Sequence, residues 1–116
     1  MPKVDVLFAG VPVTDLEAAI AWYSSVLGRG PDVPVNDDEV MWQCSQAGWL
    51  YLLRDAPRAG RAIVTLAVAD LEAVVAEIGA RGLTGSPIEK VGDAGRKANF
   101  ADPDGNAVSF IEVNAT

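Results

Sequence analysis

Val13-Thr14-Asp15-Leu16-Glu17-Ala18-Ala19-Ile20-Ala21 matches Val68-Ala69-Asp70-Leu71-Glu72-Ala73-Val74-Val75-Ala76 in residue type, 55 residues further on. That separation is close to half of a 116-residue chain. Self-similarity at a fixed period marks a repeated structural unit, so the chain reads as two related halves. Each copy follows an alternating run, Val4 to Val13 in the first and Ala62 to Val68 in the second, and each precedes a glycine stop, Gly28 or Gly82. Ala56-Pro57-Arg58-Ala59-Gly60 is the join, on turn chemistry. The whole is read as one domain, residues 1–116, with module one at about 1–55 and module two at about 61–116.

Working outward, Leu7, Ala9, Val11 and Val13 share a strand face by period two, and Val6, Phe8, Gly10 and Pro12 share the other. Leu16, Ile20, Tyr23 and Leu27 then form one apolar helical stripe. Thr14 with Glu17 spells a capping box, and Asp15 is the competing cap. In the second half Ala62, Val64, Leu66 and Val68 share a strand face, and Leu71, Val74, Val75 and Ile78 form the helix stripe. Further strands are expected at Val40 to Ser45, Trp49 to Leu53, Arg96 to Ala101 and Ala107 to Val113, with weaker ones at Val33 to Val35 and Ile88 to Val91. The pentapeptide Asp102-Pro103-Asp104-Gly105-Asn106 is a turn. The sum is a βαβββ unit used twice, an α+β fold.

Composition narrows the chemistry. Half the residues are apolar and 22% charged, ordinary for a globular chain that buries roughly two-thirds of its surface. No long apolar run suggests a membrane span, and Met1-Pro2-Lys3-Val4-Asp5 has no signal-peptide character. A single cysteine, Cys44, rules out an internal disulfide framework and fits a reducing cytoplasm; it reads as a small core or sheet residue. A net charge of −7 disfavours nucleic acid and is compatible with cationic ligands. The chain has no histidine, which removes imidazole metal ligands, Ser-His or Cys-His nucleophile pairs and any imidazole base.

Four motifs carry a resemblance: Val13-x-Asp15-Leu16, Trp22-Tyr23-x-x-Val26-Leu27-Gly28, Val68-x-Asp70-Leu71, and Phe100-Ala101-Asp102-Pro103-Asp104-Gly105-Asn106. In this order and at doubled spacing, over nearly the whole chain, they resemble the vicinal oxygen chelate superfamily, the glyoxalase/bleomycin-resistance/dioxygenase fold. The resemblance implies two βαβββ modules, each a curled mixed four-stranded sheet with one helix on its convex face. The two sheets would enclose a cleft, often completed by a second subunit, so a homodimer is expected.

The resemblance also implies where a metal would be held. Ligands of metal-dependent members sit seven residues before each helix-opening Asp, which falls on Phe8 and Ile63, and three residues after the turn Asn, which falls on Ser109. The fourth falls on Leu52 when Gly48 is aligned with Gly105, with Tyr51 its neighbour. Phe, Leu and Ile bear no donor atom and a lone serine hydroxyl is a poor ligand, so neither metal nor cofactor is expected. Metal-dependent lyase or dioxygenase activity is therefore disfavoured.

The cleft itself remains. Its lining, counted by strand alternation from the ligand positions that the resemblance implies, is expected to be apolar with a few hydroxyls: Phe8, Ile63, Thr65, Ser109 and Ile111. Trp42, Trp49 and Tyr51 are added as aromatic candidates, whereas Trp22 reads as core. The ligand-binding set is thus Phe8, Trp42, Trp49, Tyr51, Ile63 and Ser109, for a small organic molecule, planar or cationic, with no nucleic-acid or membrane partner. Asp32, Asp37, Asp38 and Glu39 read as a solvated acidic loop. Asp102, Asp104 and Asn106 imitate a calcium loop, but glycine is misplaced and Val113 stands where an acid is needed. Asn114-Ala115-Thr116 is a formal glycosylation sequon without a secretory context. Two other functional readings stand beside binding. One is a glyoxalase- or dioxygenase-like enzyme with a relocated or metal-free site using Glu39, Asp55 or Glu112; the other is a structural dimerisation module.

Overall fold

In a computed structural model the described residues are 1–114, so Ala115 and Thr116 of the sequon, and the end of module two, lie outside them. The order of elements is β1 (Leu7–Val13), α1 (Leu16–Leu27), β2 (Val33–Asn36), β3 (Glu39–Ser45), β4 (Gly48–Arg54), a 3-10 turn at Ala56–Arg58, β5 (Ile63–Ala67), α2 (Leu71–Ala80), β6 (Glu89–Val91), β7 (Gly95–Ala101) and β8 (Ala107–Val113). The expected βαβββ repeat is present, with both weak strands formed. The first strand begins at Leu7 rather than Val4.

Each half forms a four-stranded mixed sheet, ordered β1-β4-β3-β2 in one and β5-β8-β7-β6 in the other. The first strand of each half pairs in parallel with the last, and the remaining pairs are antiparallel. The expected curl is corrected here. Both sheets are open: β1 and β2 are the free edges of the first, β5 and β6 of the second, and among the described residues no edge pairs with another. Pro12 and Pro34 lie on edge strands, where a missing N–H breaks no ladder.

One face of each sheet packs on its helix. In the first module that face presents Val11, Val13, Val40, Trp42, Leu50 and Leu52, all buried, toward Leu16, Ala19, Tyr23 and Val26 of α1. Leu16 and Tyr23 belong to the predicted stripe, but Ala19 and Val26 are buried in place of Ile20 and Leu27, which are half-buried. Tyr23 is thus the fully buried helix aromatic, with Trp22 half-buried edge-on to it. In the second module Val108, Phe110, Ala98 and Phe100 meet Leu71 and Ile78. Asp15 and Asp70 cap the helices, accepting from Ala18 N and Ala73 N at 3.1 Å each. The capping box at Thr14 does not form; the Thr14 N–H donates to Asp104 of the other module. Gly28 ends α1 in the left-handed region at φ 84°.

The join between halves is polar and buried. Asn106, wholly buried, accepts from Gly60 N and Ala62 N through Oδ1, and donates through Nδ2 to Pro12 O and Asp102 Oδ2. Arg81 reaches from the end of α2 to the Ser25 and Val26 carbonyls at the end of α1. The Asp-Pro-Asp-Gly-Asn turn therefore serves as a staple between modules rather than an ion loop.

Candidate functional site

Strand alternation leaves the face of each sheet away from its helix free. On the first sheet Phe8 pairs with Trp49 and Gly10 with Tyr51, and across β3 Trp49 pairs with Gln43 and Tyr51 with Met41. The Phe8 and Trp49 rings are stacked, with centroids 6.2 Å apart and planes 29° from parallel. Phe8 is 52% exposed although it is a large apolar residue in a strand. On the second sheet Ile63 pairs with Ala107 and Thr65 with Ser109. Ile63 is 79% exposed. The Ser109 hydroxyl donates to Asn99 Oδ1 at 2.6 Å, and Asn99 Nδ2 donates to Glu89 Oε1 at 3.2 Å, a short polar chain along this free face.

Five of the six expected site residues, Phe8, Trp49, Tyr51, Ile63 and Ser109, thus lie on the sheet faces away from the helices, with Phe8 and Ile63 exposed and Ser109 buried. Trp42 does not share them. It is buried against α1 and its indole N–H donates to Arg29 O at 3.0 Å, which satisfies a donor that burial would otherwise strand. It also lines a cleft of about 560 Å³ between the modules, whose walls include Trp49 and Phe110 with the hydroxyl-bearing Ser45 and Thr65. Cys44 lies on β3 at this cleft and is exposed, not a core residue.

The fourth position of the metal set is corrected by the register. Ser109 lies opposite Thr65, two residues beyond Ile63; the matching position in the first module lies opposite Gly10, two residues beyond Phe8. That residue is Tyr51. Leu52 is fully buried on the helix face. The set is therefore Phe8, Tyr51, Ile63 and Ser109, and it does not fit a divalent metal: two members bear no donor, and the Ser109 hydroxyl is engaged with Asn99. Among the described residues no group of three or more His, Cys, Asp or Glu side chains could hold a metal ion. This argues against metal-dependent catalysis.

The acids considered for a relocated site are not brought together. Glu39 is on β3, Asp55 pairs with Arg58 at 2.6 Å, and Glu112 pairs with Arg96 at 3.1 Å. The Leu71 N–H, first, and Arg96 beside it hold the Glu112 carboxyl below its ordinary range. Asp32 is lowered likewise by the Gln43 N–H and by Arg29. Asp32 pairs with Arg29 and Asp38 with Arg54, so two of the four loop acids have separate partners, and among the described residues the loop forms no group that could hold a metal ion. Sequence reasoning did not find the hydrogen bond from the Tyr23 hydroxyl to Asp102 Oδ2, at 2.8 Å, or the close approach of the Tyr51 ring to Gly10 of β1.

No helix among the described residues is long and apolar enough to cross a membrane. Residues 5–110 match the model of the Glyoxalase/Bleomycin resistance protein/Dioxygenase superfamily. A glyoxalase/bleomycin resistance protein from Catenulispora acidiphila DSM 44928 is 38% identical, over 97% of this chain and all of that one, with a TM-score of 0.89. TnmS3, an antibiotic binding protein from Streptomyces sp. CB03234, is 24% identical over 98% of this chain and 99% of its own, with a TM-score of 0.78. A bleomycin-binding protein, solved in complex with bleomycin, is 20% identical over 96% of this chain and all of its own, with a TM-score of 0.79. No curated protein sequence matches. The doubled βαβββ fold, the matched span and the 38% identical relative together place the chain in the glyoxalase/bleomycin resistance protein/dioxygenase superfamily.

Proposed function

We propose that this protein binds and sequesters a small organic molecule, planar or cationic, without metal and without catalysis. The observation that supports this best is the free face of the first sheet, where the exposed Phe8 ring stacks on the half-buried Trp49 at and beside positions that relatives use for metal ligands. A flat apolar surface of this kind is stabilised by covering it, at about 25 cal/mol per Å² before the costs of association. The faces carrying Phe8 and Ile63 are exposed within one chain, so a second copy would bring the second-module face of one chain over the first-module face of the other. The binding site would then hold Phe8, Trp49 and Tyr51 on one wall and Ile63 and Ser109 on the other. The net charge of −7 favours a cation. Two fold relatives support the reading: TnmS3, described as an antibiotic binding protein, and the bleomycin-binding protein. The single cysteine supports a reducing, cytoplasmic setting.

The test titrates the protein with bleomycin, with proflavine as a planar cation, and with anthraquinone-2-sulfonate as a planar anion. Tryptophan fluorescence and sedimentation are followed together. The expected result is a dimer whose fluorescence is quenched to saturation, more tightly by the cations than by the anion. The quench should shrink in Trp49→Phe, because Trp42 is buried behind the sheet. A monomer at all concentrations, or no quench by any of the three, would overturn the proposal.

A further inference from the structure

We infer that Gly10 is a positioning residue of the ligand face: it keeps open the seat in which the Tyr51 ring lies across β1, and a bound ligand meets Tyr51 in that seated position. The inference rests on the binding reading above and adds a shape and a chemical class to it.

Gly10 lies inside β1, opposite Tyr51 of β4 and on the same face. A glycine within a strand weakens it, so it needs a reason. Backbone conformation is not the reason, because Gly10 is not among the glycines with positive φ. The space above it is. A Cβ at this position would lie 2.5 Å from the Tyr51 hydroxyl oxygen and 2.8 Å from its Cε2. The phenol therefore occupies the volume that any other side chain at position 10 would fill. The second module shows that the strand pair does not demand this arrangement, since Thr65 faces Ser109 at the equivalent place.

Seating Tyr51 has a consequence for the face. Phe8 and Trp49 form the stacked pair one step along the same two strands. With Tyr51 laid over β1, the aromatic floor extends from that pair toward Pro12, and a phenolic hydroxyl lies over the edge strand. A ring displaced from the seat would instead stand up from the sheet and obstruct a flat ligand. The chemistry that matches is a planar ring system with a hydrogen-bonding substituent, such as an amine, hydroxyl or carbonyl, at its rim.

The obstructing atoms are the far end of a side chain, so Gly10→Ala displaces the ring and leaves the strand intact. The test compares wild type, Gly10→Ala, Tyr51→Ala and the double variant, with far-ultraviolet circular dichroism as a check on folding. In wild type, NMR should show the Gly10 Hα protons shifted upfield by the Tyr51 ring, with cross-peaks to its aromatic protons. Proflavine should bind Gly10→Ala about tenfold more weakly than wild type. Tyr51→Ala should show a similar loss, and adding Gly10→Ala to it should cost nothing more. Unaltered proflavine affinity in Gly10→Ala, independent losses in the two single variants, or missing Gly10–Tyr51 cross-peaks would overturn the inference. A failure of the binding reading is recognisable separately, as a folded wild type that takes up no proflavine at all.

Discussion

The Tyr23 hydroxyl donates to Asp102 Oδ2 at 2.8 Å, joining the first helix to the turn between β7 and β8 across 79 residues of sequence. Asp102 is 5% exposed, and it takes part in none of the ion pairs among the described residues. Its charge is spread over four donors: Tyr23 and Asn106 Nδ2 on one oxygen, the Asp104 and Asn106 N–H groups on the other. Removing Tyr23 Oη leaves a buried carboxylate short of a donor, so Tyr23→Phe should lower stability by about 1–3 kcal/mol. Asn106→Ala should cost more, about 2–4 kcal/mol, because Gly60 N, Ala62 N and Pro12 O also lose their partner. Urea unfolding of the two variants checks both the sizes and their order.

The same pair sets an alkaline limit. Burial first, then the hydrogen bond and charge of Asp102, push the Tyr23 hydroxyl far above its ordinary range. In the unfolded chain that group ionises at about pH 10, whereas the folded chain keeps its proton. The unfolded state then binds fewer protons than the folded one, so stability falls as pH rises past about 10. Unfolding midpoints between pH 8 and 11 should show a steeper alkaline decline in wild type than in Tyr23→Phe.

At the acid end the relevant group is Glu112, which accepts from Leu71 N at the start of α2 and pairs with Arg96. Its carboxyl is held below the usual range, so its contribution is complete above the unfolded value. It is lost as pH falls through the folded one. Glu112→Gln should be less stable at pH 7 and should lose less stability than wild type between pH 5 and pH 3. Thermal melts across that window measure it.

Trp42 and Trp49 should behave as opposites. Trp42 is buried against Tyr23, with ring centroids 6.1 Å apart. Trp42→Ala should therefore cost about 3–5 kcal/mol. Trp49 stands half-buried on the free face, so Trp49→Ala should change stability by about 1 kcal/mol or less while removing the fluorescence response to ligand. Denaturation and fluorescence titration of the two variants separate the roles.

The repeated Val-x-Asp-Leu stretch, the glycine stops and the strand alternation were enough to place both helices and all eight strands; the faces of Phe8, Ile63 and Ser109 followed from ligand positions that the family resemblance implies. Residues along β3 and β4 were harder. Both faces of these strands bear large apolar side chains, so period two could not tell Trp42 from Trp49. Leu52 was taken in place of Tyr51 because glycine alignment slips by one residue where strand pairing does not. Openness of the sheets depends on which edges find partners, and Tyr23 with Asp102 depends on how the halves pack. Neither leaves a local pattern. Gly10 left one, a strand glycine with no turn to explain it, and it became readable only beside Tyr51.

In the proposed function the aromatic sheet face, and no metal ion, holds the ligand. Equilibrium dialysis of proflavine against wild type, Phe8→Ala and Trp49→Ala, with and without EDTA, tests it most directly. Wild-type binding should be unchanged by EDTA and weakened about tenfold or more by each substitution. Binding that appears only after nickel, zinc or ferrous iron is added, or that neither substitution weakens, would overturn this reading.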